Sequence, residues 1–327
     1  MDSRLQWSTS VVLFLVAGTC TAQNLLPPGP LSSAVSGSIT FTTTLRPPER
    51  PFLSVSWTFN GANVITSTTD EDLPGDGYGE RITLDRTTGS LQLRRLTAAD
   101  SGEYVVAVIP RGESLKQGTV VLNVYVPVSG VTVRGPTSIL IEDQHSASVT
   151  CEASGSVSAR VWTKGGRPVL AGPTVNLSPD NVTVFIQPVR SHDGGVYRCR
   201  VSNPISALTA AFNLTVNFGP QNVSIAGPTA APLGRRVTLL CLVNSFPPAN
   251  FAWEFNGKAT GVNGSSYVVP RMDEQSEGNY TCTARNAVTR RQTSTLLYLR
   301  ASCVAPCWSL SALVLSATSL MWFMSAY

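Results

Sequence analysis

The feature that most constrains this chain is a short pattern that occurs twice. Asp193, Gly195, Tyr197 and Cys199 spell D-x-G-x-Y-x-C, and Cys151 and Trp162 precede them. Gly278, Tyr280 and Cys282 repeat the pattern after Cys241 and Trp253, with Ser276 where the aspartate is expected. Three requirements coincide in it: two inward cysteines join two sheets, an indole packs on the sulfur pair, and a tyrosine returns a hydrogen bond to the backbone at the corner. Cys151–Cys199 and Cys241–Cys282 are separated by 48 and 41 residues. Closing such loops removes unfolded-state freedom worth about 4 kcal/mol per bridge in the entropic model. Metal binding, the rival use of four cysteines, needs close pairs such as C-x-x-C, which these four lack.

Around these anchors run short alternations of Val, Thr, Leu and Ile, broken by Gly, Pro, Asn and Asp, with hardly any helical periodicity. The chain is therefore expected to be all-β: three tandem immunoglobulin-like β-sandwiches, one V-type without a disulfide and two C2-type with disulfides. The expected divisions are residues 1–22, 23–126, 127–218, 219–300 and 301–327. In the first sandwich Asp100, Gly102 and Tyr104 repeat the corner and Trp57 supplies the ring. Val106 stands at the second cysteine position and Phe41 or Thr43 at the first. An Arg81–Asp100 ion pair is expected in place of the missing disulfide, as a specifier of the fold rather than a large stabiliser, because burying it costs desolvation.

The two ends read differently. Charged residues are only 13% of the 327, about half the usual share, partly because Trp7 to Pro30 and Ala301 to Tyr327 carry almost no charge. Residues 1–22 read as a secretory leader cleaved after Ala22, which places the mature chain where disulfides persist. From Ala301 onward the pattern fits a removed signal for a glycosylphosphatidylinositol anchor attached near Ala301, Ser302 or Cys303, with a retained transmembrane helix as the alternative. Either way the protein is expected at the extracellular face of the cell membrane. Setting the ends aside leaves four of the seven cysteines, an even framework.

The chain resembles the carcinoembryonic-antigen-related cell adhesion molecules. The segments that carry the likeness are the disulfide-free run Asp100 to Ile109, the stretch Tyr197 to Pro204 leading to Leu214 to Pro220, and Ala284 to Thr289. The resemblance covers residues from about 35 to 300. It implies adhesion through one face of the first domain, both homophilic and to other members, with Ser56, Thr58, Val64, Ala107 and Ile109 as the contact positions. Some members of the family carry a lipid anchor and others a signalling tail with tyrosine motifs; no such tail is expected after the apolar segment here.

Strand phase supports that face without the family. If Tyr104, Val106 and Val108 face the core, then Val105, Ala107 and Ile109 face out. Ser56 and Thr58 flank Trp57 on the outside, and Val121 and Asn123 alternate with inward Val120, Leu122 and Val124. The same parity exposes Arg198, Arg200 and Ser202 in the second unit and Thr281, Thr283 and Arg285 in the third, so the apolar outer sheet is expected in the first unit alone. Glycosylation sequons begin at Asn176, Asn181, Asn213, Asn222, Asn263 and Asn279 and avoid the first unit.

Other function classes find little support. Basic residues number 8 against 10 acidic over 23–126, 7 against 5 over 127–218 and 8 against 4 over 219–300. No basic stripe with interleaved aromatics exists for nucleic acid. No H-E-x-x-H, G-x-S-x-G or phosphate-binding glycine loop occurs, and His192, one of 2 histidines, reads as a loop residue. Asp70, Glu71, Asp72 and Asp76 lack cation-loop spacing and read as a solvated loop. No enzyme, cofactor or metal is expected. The expected partner is a second copy or a related immunoglobulin-superfamily protein on an apposed cell. A receptor for a soluble or microbial ligand is the alternative.

Overall fold

The structure, a computed structural model, describes residues 25–48 and 52–302. The leader expected over residues 1–22 and the apolar tail beyond Ser302 lie outside the described residues. Helix among the described residues is confined to three 3₁₀ turns, Ala98–Asp100, Ser191–Asp193 and Glu274–Ser276. None of these is long and apolar enough to cross a membrane.

The first sandwich holds β1 (Leu31–Ala34), β2 (Ser38–Phe41), β3 (Ser54–Phe59), β4 (Ala62–Thr68), β5 (Asp72–Pro74), β6 (Ile82–Leu84), β7 (Leu91–Arg94), β8 (Gly102–Ile109) and β9 (Lys116–Tyr125). One sheet has the order β1-β9-β8-β3-β4-β5, and the other is β2-β7-β6. Side chains of both meet in one core that includes Phe41, Trp57, Leu91, Leu93, Tyr104, Val106, Val108 and Leu122. The period-2 alternation of β8 and β9 builds this core: Tyr104, Val106, Val108, Val120, Leu122 and Val124 are buried, and the residues between them are half-buried or exposed. Each such large side chain is worth roughly 1.5–3 kcal/mol when fully removed from water.

No disulfide closes this sandwich, and aromatic packing takes its place. Of the two candidates for the first cysteine position, Phe41 fills the space. Its ring stacks on Tyr104 at 4.6 Å and lies 5.4 Å from Trp57. Thr43 is also buried, but its hydroxyl is turned to the carbonyl of Thr88.

The second sandwich holds β10 (Ser129–Arg134), β11 (Ala147–Ser154), β12 (Ala159–Lys164), β13 (Arg167–Pro168), β14 (Val175–Leu177), β15 (Thr183–Ile186), β16 (Gly195–Asn203) and β17 (Ser206–Leu214). Its sheets run β10-β11-β15-β14 and β13-β12-β16-β17. The third holds β18 (Phe218–Ala226), β19 (Ala230–Pro232), β20 (Val237–Phe246), β21 (Asn250–Phe255), β22 (Lys258–Ala259), β23 (Ser266–Val269), β24 (Gly278–Arg285) and β25 (Gln292–Ser302). Its sheets run β18-β20-β23 and β19-β25-β24-β21-β22. Disulfides Cys151–Cys199 and Cys241–Cys282 are present, each with Cα atoms 6.3 Å apart. The last strand runs on through Ala301 and Ser302, which pair with Ala231 and Pro232.

All three corners are built alike. The hydroxyls of Tyr104, Tyr197 and Tyr280 donate to the carbonyls of Asp100, Asp193 and Ser276 at 3.0, 3.0 and 2.8 Å. Asp100 and Asp193 sit at the end of the turn and accept the backbone N–H three residues earlier, at Thr97 and Arg190. In the third corner the carboxylate has moved to the other end: Asp273 accepts the N–H and hydroxyl of Ser276. The serine in place of aspartate is thus a reversed cap rather than a lost one. The corner glycine is explained by space, since a Cβ on Gly102 would lie 2.8 Å from Asn60, whose Oδ1 accepts the N–H of Glu103.

By contacts the chain falls into two units, one of residues up to 131 with 153–160 and 200–209, the other holding the rest. Within each, one asparagine ties an incoming linker to a hairpin. Asn203 donates to the carbonyls of Val126 and Ser156 and accepts from the N–H of Ile205. Asn286 donates to the carbonyl of Phe218 and accepts from the N–H groups of Val288 and Thr289. Both belong to the segments on which the family likeness rests.

Candidate functional site

Register assembles an outward row across the larger sheet of the first sandwich. Ser56 on β3 pairs with Ala107 on β8 and Thr66 on β4. Ala107 pairs onward with Gln117, and Thr66 with Leu73 on β5. A second row joins Asn63, Thr58, Val105 and Thr119, and a third joins Thr68, Ser54 and Ile109. Val121 stands opposite Glu103, and Asn123 follows it on β9. Directly opposed side chains in such pairs share a face.

The face is weakly polar. Ile109 is 40% and Val121 43% exposed, while Ser56, Thr58, Val105, Ala107 and Asn123 are half-buried. Glu103 is the single charge among the outward positions of β3, β8 and β9. A patch of small apolar and hydroxyl side chains with one charge costs little to desolvate, which suits protein contact.

Val64 does not belong to it. The side chain is 0% exposed and lies in the core beside Ile65. Between Trp57 and Thr58 the pairing with β4 slips from Ile65 to Asn63. Such a bulge inserts one residue and breaks the alternation, so two consecutive apolar residues turn inward. The positions that reach the outer face on β4 are Asn63, Thr66 and Thr68, the first two joined by a 3.0 Å hydrogen bond. Leu73, 49% exposed opposite Thr66, extends the apolar row and was not identified from the sequence. It stands between acidic residues and a proline, where no alternation marks a strand.

Arg81 and Asp100 lie behind this face and hold its corner. Arg81 Nη2 is 2.5 Å from Asp100 Oδ2, with side-chain exposures of 20% and 6%. Burial pushes the Asp100 carboxyl upward, but hydrogen bonds from Arg81 and from the backbone and hydroxyl of Thr97 outweigh it and hold the pKa below its ordinary value. Burial raises the Tyr104 phenol well above its usual range, helped by the Asp100 charge.

The remaining predicted residues fall elsewhere. Asn176, Asn181, Asn213, Asn222, Asn263 and Asn279 are all exposed. Asp72 pairs with Arg86 at 2.7 Å, and Asp70 accepts from Thr69. Among the described residues no three His, Cys, Asp or Glu side chains converge as a metal site. His145 accepts the N–H of Ile141, and the His192 carbonyl accepts from Lys164.

One expectation about the other sandwiches needs correcting. Arg198 and Arg200 are exposed on β16 and Arg285 on β24, in line with the parity. Yet the third sandwich exposes Leu296 and Tyr298 on β25, the strand paired with β24. Apolar outer surface is therefore not confined to the first sandwich. The alternation of β24 fixes only its own outward residues, and its partner β25 supplies the apolar ones.

Comparison with known proteins follows the same division. Residues 26–125 match the immunoglobulin V-set domain, 131–216 the immunoglobulin I-set domain, and 220–286 an immunoglobulin domain model. The chain is 30% identical over 262 residues to rat (Rattus norvegicus) cell adhesion molecule CEACAM16, covering 77% of this chain and 61% of that protein. It is 28% identical over 245 residues to human (Homo sapiens) HEPACAM family member 2, covering 68% of this chain and 52% of that one. The chain thus spans between half and two thirds of the length of these curated relatives. Among solved structures, mouse nectin-like molecule 4 aligns over 85% of this chain and 99% of its own at 16% identity, with a TM-score of 0.51. Murine CEACAM1b aligns over 57% and 96% at 21% identity, with a TM-score of 0.50. At these identities the structures speak for the fold.

Proposed function

We propose that this chain, an immunoglobulin-superfamily protein related to the carcinoembryonic-antigen-related cell adhesion molecules, is a cell-surface adhesion and recognition glycoprotein. Its contact surface is the outer face of the first sandwich. The observation that carries this reading is the continuous row Leu73, Thr66, Ser56, Ala107 and Gln117, uncharged and free of sequons. The names of the relatives, cell adhesion molecule and HEPACAM family member, point the same way. The partner is a second copy or a related immunoglobulin-superfamily protein. Individually weak contacts multiply between apposed membranes carrying many copies. No reaction chemistry is assigned to the protein.

Ala107→Asp or Ile109→Asp places an unpaired charge in the middle or at the edge of the face without touching the core. Cells expressing either variant lose aggregation while surface expression and antibody recognition of the first sandwich stay intact. Unchanged aggregation overturns the face. Wild-type protein that never aggregates cells or beads, yet binds a soluble ligand, favours the receptor reading. Attachment is by a glycosylphosphatidylinositol anchor, so phosphatidylinositol-specific phospholipase C releases the protein; retention points to a spanning helix or a resistant anchor.

A further inference from the structure

The described chain exposes three large aromatic side chains, Phe185, Phe246 and Tyr298. Two of them stand directly opposite a sequon asparagine on the neighbouring strand. Tyr298 on β25 pairs with Asn279 on β24, and Phe185 on β15 pairs with Asn176 on β14. The two pairs lie in different sandwiches and in different kinds of sheet, the first in β19-β25-β24-β21-β22 and the second in β10-β11-β15-β14. In each, the aromatic and the asparagine share the solvent face, with Cβ atoms about 5 Å apart as antiparallel partners require.

We propose that Tyr298 and Phe185 are platforms on which the first sugar of an N-glycan packs, the glycans being carried by Asn279 and Asn176 respectively. This rests on the secretory reading given above. Attachment replaces one hydrogen on the asparagine Nδ2 with the anomeric carbon of N-acetylglucosamine. The donor is a lipid-linked pyrophosphate oligosaccharide, whose lipid pyrophosphate leaves as the nitrogen gives up its proton. The first pyranose then stands beside the neighbouring side chain. Its C–H face is apolar and weakly positive, and the face of an aromatic ring is apolar and weakly negative, so the two pack together.

Both platforms are prepared for this use. Tyr298 is 49% exposed, and its hydroxyl donates to Glu277 Oε1 at 2.7 Å while Glu277 Oε2 accepts the N–H of Ala301 at 2.9 Å. The ring is thereby tethered at its tip and bare on its surface. The Tyr298 hydroxyl, more than any other group, holds the Glu277 carboxyl below its ordinary pKa, so the tether is charge-assisted at neutral pH. Phe185 is 47% exposed, and its other cross-strand neighbour is Ser148, too small to cover a phenyl ring. Without a sugar, each ring leaves about half of its side chain as exposed hydrophobic surface among the described residues.

The test uses the full chain produced in glycosylating mammalian cells and purified in detergent. Glycopeptide mapping reads occupancy, and thermal unfolding reads coupling. Asn176 and Asn279 are expected to be occupied. Trimming each glycan to a single N-acetylglucosamine leaves the unfolding temperature of the third sandwich unchanged. Asn279→Gln lowers it by about 2–4 °C, Tyr298→Ser lowers it equally, and the double variant lowers it no further, because the two groups form one contact. Tyr298→Phe, which keeps the ring and loses the Glu277 bond, retains the effect of the glycan. Phe185→Ser and Asn176→Gln behave as a second such pair. Additive losses in the double variants overturn the platforms. Empty Asn176 and Asn279 beside occupied sequons elsewhere also overturn them while leaving the secretory reading standing; a chain with no glycan at any sequon sinks both.

Discussion

The first and third sandwiches share a corner, a core tryptophan and a two-sheet plan, yet they differ in what closes the core and in what lies over the outer sheet. In the first, Phe41 packs against Trp57 and Tyr104 where the third has Cys241–Cys282. In the first, the apolar outer positions have no sequon beside them; in the third, Tyr298 stands opposite Asn279. The contrast teaches that exposed apolar surface has different meanings in the two places. On the platform proposal, apolar surface that faces a sequon is the seat of the molecule's own sugar, as at Tyr298 opposite Asn279. On the adhesion proposal, apolar surface with no sequon beside it, as at Ala107 and Ile109, is left for another protein.

The comparison breaks most visibly at the core. Phe41→Ala leaves a cavity among Trp57 and Tyr104 and costs about 3–5 kcal/mol. Hydrogen exchange should then show β3 and β8 losing protection while the third sandwich keeps it. Cys282→Ser should do the converse, at about 2–5 kcal/mol, with loss of protection in β20 and β24. Equal loss in both sandwiches from either variant would mean that they do not fold as separate cores.

A smaller effect concerns the first corner. Asp100→Asn weakens charge-assisted bonds to Arg81 and Thr97 and should cost about 2 kcal/mol at neutral pH. Since the folded pKa of Asp100 is depressed, its contribution is fully present above the ordinary carboxylate value, near pH 4. It is lost as pH falls through the lower folded value. Exchange protection of Tyr104 measured from pH 7 downward should fall in that window for the wild type and stay flatter for the variant. Ser276, which has no carboxylate, gives the third corner no such group, although Asp273 at its other end is also held low by its hydrogen bonds from Ser276.

The smallest stability effect sharpens the surface half of the contrast. Leu73→Asp should change stability by less than about 0.5 kcal/mol, as for an exposed site, and still reduce cell aggregation severalfold. Aggregation at the wild-type level would confine the contact to β3, β8 and β9.

Much of the fold was legible because its signals are local. The spacing of Cys151, Trp162, Tyr197 and Cys199 sets two sheets and their covalent join, and alternation along β8 and β9 separates core from surface. The candidate face was legible to the same extent, for Ser56, Thr58, Val105, Ala107, Ile109, Val121 and Asn123 lie on strands whose phase is anchored by Trp57, Tyr104 or the run Val120 to Val124. Val64 was misplaced because a bulge is a property of a pair of strands, and one strand's sequence does not state where its partner slips. Leu73 was missed because three residues are too few to display a period.

The sequence alone determined what depends on neighbours along the chain: an all-β repeat, two bridges, corners marked by Asp100, Asp193 or Ser276, and sequons on the later two sandwiches. Tertiary structure decided what depends on neighbours across strands. Register put Thr66 and Leu73 in line with Ala107, turned Val64 inward, and set Tyr298 and Phe185 opposite Asn279 and Asn176. The reason is that a strand's own residues fix which side chains alternate, whereas only its hydrogen-bonded partner fixes which of them meet.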